Sequence, residues 1–171
     1  MTDGRPTPLV RAARRDDMGA VGAALRTYLV QTEEEKAERG IGEPRARAGE
    51  LPARYREEAA DPAGALPGCP ILVAELDGAV VGVVVLKPGR EAAEIKRLWV
   101  SPDVRGRGAG SALLDAAIAA SGPLPVMLTV WDWRRGAIRL YESHGFARSA
   151  SWDARPRLIC MRRDAGAPAA G

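Results

Sequence analysis

The chain has 171 residues, enough for one hydrophobic core, and with 46% apolar and 27% charged residues it is expected to fold rather than stay disordered. A single histidine, His144, and two cysteines, Cys69 and Cys160, are too few for a zinc site of the usual ligands, so no metal is expected. The charge balance is +3, only Lys36, Lys87 and Lys96 are lysines, and one Phe and three Tyr leave little for base stacking, which suits an anionic ligand at one spot and argues against nucleic acid.

Leu9 and Val10 begin a short strand, and Asp16 and Asp17 place acidic residues ahead of a helix from Met18 to about Lys36. Glu33-Glu34-Glu35 near its end reads as a solvated face, the other reading being a run that attracts a cationic amine. Gly40 to Pro70 is punctuated by Gly and Pro and reads as a loop-rich insertion with one short helix over Ala53 to Ala60. The runs Ile71 to Leu76 and Val80 to Leu86 flank Asp77-Gly78, a pair that accepts the positive φ angles of a tight hairpin turn. Ala93 to Val100, stopped by Pro102, predicts the next antiparallel strand. Leu113, Leu114, Ala117 and Ile118 share one face of a helix over Gly108 to Ser121.

A strand over Pro125 to Val130 and a helix over Arg134 to His144 follow, the helix closed by Gly145. Strands over Phe146 to Trp152 and Leu158 to Arg162 complete the order. The Gly, Ala and Pro tail, 164–171, is expected to be disordered, leaving 1–163 as one domain. This order predicts an α/β (mixed α+β) fold: a mixed sheet, helices on both faces, and a βαβ crossover between the strands ending at Val100 and Val130. No apolar run approaches the roughly 20 residues that span a bilayer, and no charged segment precedes an apolar one at the start. The expectation is a cytoplasmic protein with reduced thiols and no membrane partner.

The most informative stretch is Val100-Ser-Pro-Asp-Val-Arg105-Gly106-Arg107-Gly108-Ala109-Gly110-Ser111. A strand ends, glycines crowd the turn, and a helix begins, so unpaired first-turn N–H groups and a positive dipole end face an approachable backbone. That is a phosphate cradle. A dinucleotide fingerprint fails because Ser111 stands at its last position, and no Gly-Lys-Ser/Thr run exists for a P-loop.

What fits is Arg-x-x-Gly-x-Gly at Arg105, Gly108 and Gly110, and here the chain resembles the GNAT superfamily of acetyl-CoA-dependent N-acetyltransferases. Leu140-Tyr141-Glu142-Ser-His-Gly145-Phe146 resembles that family's second signature, and Val10 to Met18 resembles its opening, so the likeness covers about Leu9 to Arg163. It implies a central, mostly antiparallel mixed sheet and acetyl-CoA as co-substrate. It further implies that the backbone from Arg105 through Ser111, including Arg107, holds the CoA pyrophosphate, and that Leu98, Trp99 and Val100 pair with the pantetheine amides and polarise the thioester carbonyl through an N–H.

Tyr141 matches the tyrosine that serves the CoA sulfur; a phenol of pKa about 10 is the right donor for a thiolate of pKa near 8.5, the other reading being a helix-face tyrosine packed on the sheet. Glu94 resembles the family's general base, but reads equally as an exposed strand residue paired with Lys96 or Arg97. Asp132 and Glu75 are further carboxylate candidates. Arg134 departs from the family's usual Asn ahead of Ala137; it reads either as a contact to a CoA phosphate or as a helix cap, and Ala137 lies on the cofactor side.

Trp131 and Trp133 read as a wall of the acceptor pocket or as core and edge packing. His144 reads as structural, Cys69 as lacking a basic neighbour, and Cys160 as buried. The acceptor implied is a primary amine on a small molecule or peptide. Alternatives are acetylation of a protein N-terminus or lysine, and an acyl-CoA sensor that has lost turnover. The likeness also implies a possible homodimer.

Overall fold

Asp77 and Gly78 both take positive φ, 50° and 79°, so the predicted hairpin turn forms between β2 (Ile71–Leu76) and β3 (Ala79–Lys87). Around that hairpin the computed structural model, which describes residues 6–42 and 47–166, builds a seven-stranded sheet. Its remaining strands are β1 (Leu9–Ala12), β4 (Ala93–Val100), β5 (Val126–Trp131), β6 (Ala147–Arg148) and β7 (Leu158–Arg163). The helices are α1 (Met18–Glu38), α2 (Ala53–Ala60), α3 (Pro62–Ala65), α4 (Ala109–Ala120) and α5 (Arg135–Ser143).

The sheet order is β1-β2-β3-β4-β5-β7-β6, antiparallel at every pair except β4–β5, which α4 joins as the expected parallel crossover. One face is buried by α4 and α5: Leu113, Leu114, Ile138 and Tyr141 pack with Val84, Ile95, Leu128 and Met161. On the other face Val21, Ala24 and Leu25 of α1 pack on Val73 and Val83. A fully buried Leu or Val contributes about 1.5–3 kcal/mol by leaving water, so these two layers dominate the stability. Beside α1, α2 approaches so closely that a Cβ on Gly22 would run into the Ala59 carbonyl oxygen. That contact fixes α2 against α1.

The start of α1 is organised by a charge network rather than by helix-dipole residues alone. A 3-10 turn at Arg15–Asp17 leads in, and the Asp17 carboxylate accepts from the Arg14 amide (2.6 Å) and from Arg11, which also reaches Glu75 at 2.6 Å. These bonds hold the Asp17 carboxyl down at about 2.

Two expectations are corrected. The strand predicted over Phe146 to Trp152 shrinks to Ala147–Arg148, an edge strand whose sole neighbour is β7; past Ser149, whose amide reaches Cys160 O, the chain leaves the sheet. In the Gly40 to Pro70 insertion the predicted α2 is joined by α3, capped by Asp61, and Leu51 is buried. Residues 43–46 of the insertion lie outside the described residues. Of the tail expected to be disordered, Asp164–Gly166 are described and 167–171 lie outside.

Candidate active site

The parallel pairing of β4 with β5 stops after two positions, Ala93↔Val126 and Glu94↔Met127. β3 nevertheless follows β4 to Val100, and β7 follows β5 to Trp131. The two central strands therefore diverge beyond Glu94, and alternate main-chain N–H and C=O groups on the β5 side of β4 have no strand to pair with. The wedge opens into a cleft of 1310 Å³. Of the predicted strand residues, Glu94, Leu98, Trp99 and Val100 all line it.

The glycine-rich turn closes one end. Gly106 and Gly108 take φ of 77° and 80°, a backbone region that side chains disfavour, and Gly108 is the N-cap of α4. Ala109, Gly110 and Ser111 form the first helical turn, where amides lack intrahelical acceptors. Gly110 sits where a Cβ would touch Leu140 Cδ2 at 3.4 Å, which seats the turn against α5. Arg105, Gly106, Gly108, Ala109, Gly110 and Ser111 line the cleft; Arg107 is not among the lining residues. Its guanidinium donates instead to the Pro6 carbonyl (2.9 Å), and its Nε is buried with no acceptor among the described residues.

From the opposite wall α5 presents Ala137 and Tyr141. Tyr141 is 7% exposed, its ring edge-on to Phe146 at 6.0 Å. Its hydroxyl makes no hydrogen bond to other described residues, and burial pushes its pKa well above the ordinary phenol value. The ring thus packs in the core, as the packing reading expects, and the residue also borders the cleft. Glu94 is half-buried on β4 rather than exposed, and it has the expected pairing with Lys96, whose Nζ is at 3.7 Å. Neither Asp132, paired with Arg157 at 2.8 Å, nor Glu75, paired with Arg11, lines the cleft.

A feature with no sequence signal lies midway along β4. The β3–β4 register slips between Val83↔Trp99 and Val85↔Lys96, so β4 carries one extra residue, and Arg97 takes φ 56°. Leu98 and Val100 return to the α4 side, while Trp99 packs on the α1 side with its Nε1 buried and lacking an acceptor among the described residues. The Arg97 guanidinium reaches α2, where Glu58 accepts from Nε at 2.6 Å and from Nη2 at 3.0 Å. Tyr55 stands over the same guanidinium, 5.4 Å from ring centroid to Cζ.

The solvated-face reading of Glu33-Glu34-Glu35 is corrected, and Arg134 finds its partners in the process. Glu33 is buried beside Lys36 (2.8 Å), and Glu35 accepts from Trp133 Nε1 (2.8 Å) and Arg134 Nε (3.0 Å); only Glu34 stays exposed. Despite its burial, those donors hold the Glu35 carboxyl below its ordinary value. Arg134 also donates to Thr32 Oγ1 at 2.7 Å, so it ties α1 to α5 at the edge of the cleft and makes no side-chain capping bond. Trp131 and Trp133 stack at 4.9 Å, and both line the cleft. His144 lies outside it, with Nδ1 2.8 Å from Leu140 O and Nε2 3.3 Å from Asp115; Cys69 and Cys160 are free thiols. Among the described residues no group of acidic, His or Cys side chains forms a metal cluster, and no helix is long and apolar enough to cross a membrane.

Comparison with known proteins agrees with this geometry. An uncharacterized N-acetyltransferase of Methanocaldococcus jannaschii is 39% identical over 84 residues, covering 43% of this chain and 37% of the relative. The mycothiol acetyltransferase of Cellulomonas flavigena is 34% identical over 120 residues, covering 62% and 33%. The chain spans about a third of the length of these curated relatives. Among solved structures, the histone acetyltransferase and related acetyltransferase from Corynebacterium glutamicum superposes with a TM-score of 0.68 at 23% identity, over 95% of this chain and 99% of that one. PaiA N-acetyltransferase from Thermoplasma acidophilum, in complex with coenzyme A, gives 0.68 at 19% identity, over 93% and 99%. At these identities the structural likeness is one of fold. Residues 29–146, which include both signature motifs and most of the sheet, match the acetyltransferase (GNAT) family, and the chain belongs to that family.

Proposed function

We propose that the chain is a cytoplasmic N-acetyltransferase that moves an acetyl group from acetyl-CoA directly to a primary amine of a small molecule or peptide. The observation that carries this reading is the parting of β4 from β5 after Glu94, which unites an unpaired strand edge, the glycine turn and Tyr141 in one cleft. These groups fit the co-substrate. The first-turn amides of α4 and the open backbone at Gly106 and Gly108 suit a pyrophosphate, and the β4 edge at Leu98 to Val100 suits an extended chain of amides. Acetyl-CoA supplies an activated thioester when bound.

The chain's own groups then have three tasks. Main-chain N–H groups of β4, pre-aimed because the sheet already fixes them, stabilise charge developing on the carbonyl oxygen. Glu94, directly or through water, takes the proton that the amine loses as the C–N bond forms. Tyr141 donates a hydrogen bond to the sulfur as the C–S bond breaks, and the released thiolate then takes up, through water, the proton that Glu94 received, which restores the carboxylate. No metal enters this balance. The test is amine-dependent release of CoA thiol, with the N-acetylated product identified by mass spectrometry across small amines, peptide N-termini and lysine peptides. Release with at least one amine is expected; acetyl-CoA binding without release across the panel would instead support a sensor role.

A further inference from the structure

On the α1–α2 face of the sheet, away from the glycine turn, arginines from three separate segments converge on one side of the cleft. Arg54 of α2 stands 4.4 Å from the Tyr55 ring centroid and Arg97 of the β4 bulge 5.4 Å from it. Arg155, from the segment before β7, lines the same cleft with its Cζ 5.9 Å from the Trp131 ring, within electrostatic reach of Arg97. Like charges are brought together only where something offsets their repulsion. Part of that offset is internal: Glu58 takes Nε and Nη2 of Arg97, and Asp153 takes Nε and Nη2 of Arg155 at 2.9 and 2.7 Å. Each carboxylate grips one edge of its guanidinium and orients it. A guanidinium has five N–H donors, so the Nη1 end of Arg97 and of Arg155 keeps donors that no described residue accepts.

The rest of the cleft has the same bias. Its lining carries nine Lys and Arg side chains against four Glu, and every one of those Glu is already engaged: Glu33 by Lys36, Glu35 by Trp133 and Arg134, Glu58 by Arg97, Glu94 by Lys96. A second ammonium on the acceptor would find no uncommitted carboxylate. Four of the aromatic rings lining the cleft already face a cation: Trp131 under Lys36 and Arg155 at 5.9 Å each, Trp133 under Arg39 at 4.4 Å and Arg157 at 5.1 Å, Tyr28 under Arg134 at 5.2 Å, and Tyr55 under Arg54 at 4.4 Å.

Resting on the acetyltransferase reading, we propose that the acceptor is an amine that also carries an anionic oxyacid group, a carboxylate or a phosphate, held by Arg97 and Arg155 beside Tyr55. Polyamines are then poor acceptors. The experiment measures CoA release with amines matched except in charge: leucine against leucinamide for a carboxylate, O-phosphoethanolamine against ethanolamine for a phosphate, and spermidine as a polycation. In at least one pair the anionic member should show kcat/KM about tenfold higher or more, and which pair does so identifies the group. Arg155→Gln, at a side chain 53% exposed and so of small consequence for folding, should raise KM for that acceptor about tenfold and spare kcat and the KM for acetyl-CoA. Arg54→Gln provides a second variant from a different segment.

Equal or better turnover of the neutral or cationic members, unchanged acceptor KM in both variants, or no turnover of any pair overturns the inference. Melting with acetyl-CoA separates the two levels of failure. A raised melting temperature with any of those outcomes sinks the acceptor class alone, whereas no rise sinks the acetyltransferase reading with it.

Discussion

Tyr141→Phe is expected to lower kcat about a hundredfold while leaving the KM for acetyl-CoA and the melting temperature nearly unchanged. The ring of Tyr141 is part of the core, edge-on to Phe146 and 7% exposed, and phenylalanine reproduces that packing. What the variant loses is one O–H at the border of the cleft. General acids contribute roughly 10²–10⁴ in rate, and the low end applies here for a specific reason. Burial raises the Tyr141 pKa above that of an ordinary phenol, so its phenolate is a much stronger base than a thiolate of pKa about 8.5. Complete proton transfer is therefore uphill, and the role proposed for Tyr141 is that of a charge-stabilising donor. The sign of the shift also fixes its pH behaviour. A raised pKa keeps the phenol protonated through and beyond its ordinary range, so any fall in kcat below pH about 10 must come from another group. Steady-state kinetics of wild type and variant across pH check both points, and an unchanged kcat would remove Tyr141 from the reaction.

Glu58→Ala is expected to be the most damaging single change outside the sheet core. Glu58 is 7% exposed and holds the Arg97 guanidinium with two bonds. Removing one partner of a buried pair costs about 3–5 kcal/mol, chiefly because the other charge stays behind without compensation. The Arg97 side chain is 21% exposed, so water recovers part of that loss and the expected cost is about 3 kcal/mol. For a chain of this size that lowers the melting temperature by about 10 °C. Glu58→Gln retains an acceptor and should lose roughly half as much. Adding Arg97→Ala to Glu58→Ala should restore stability relative to Glu58→Ala alone, since the stranded charge is gone; additive losses in that cycle would mean the pair does not act as a unit. Because Arg97 is also the bulge residue at φ 56°, loss of Glu58 frees the β4 edge beside Leu98, and turnover should fall with stability.

What could be read from the sequence was whatever the backbone itself demanded. Asp77-Gly78, Gly106, Gly108 and Gly145 all occupy positive φ, and residues that tolerate it announce turns, caps and the glycine-rich turn before α4 in advance. Tyr141 and Ala137 were found because motif spacing fixes their place on α5. Arg97 adopts the same backbone region with no glycine to signal it, and its partner Glu58 lies 39 residues away, so neither the bulge nor the ion pair left a local trace. The acidic run at Glu33 to Glu35 was misread for a related reason: helical spacing shows which residues share a face, but not that Trp133 and Arg134 come back to meet that face. The strand predicted over Phe146 to Trp152 was overextended because Ala147–Arg148 has only one neighbour in the sheet, and apolar character alone does not reveal where pairing ends. Arg107 enters the turn through its backbone, and nothing in the sequence shows that its side chain goes to Pro6.

On the function proposed, acetyl-CoA lies along the edge of β4 with its pyrophosphate on the turn before α4. Amide hydrogen exchange with and without acetyl-CoA tests this most directly, because it reads the backbone groups that are said to bind. Protection is predicted in peptides covering Leu98 to Val100 and Arg105 to Ser111, with little change in β1 and β2 and none at any position on adding NAD. Absence of protection in those two segments, or equal protection by NAD, would contradict the account.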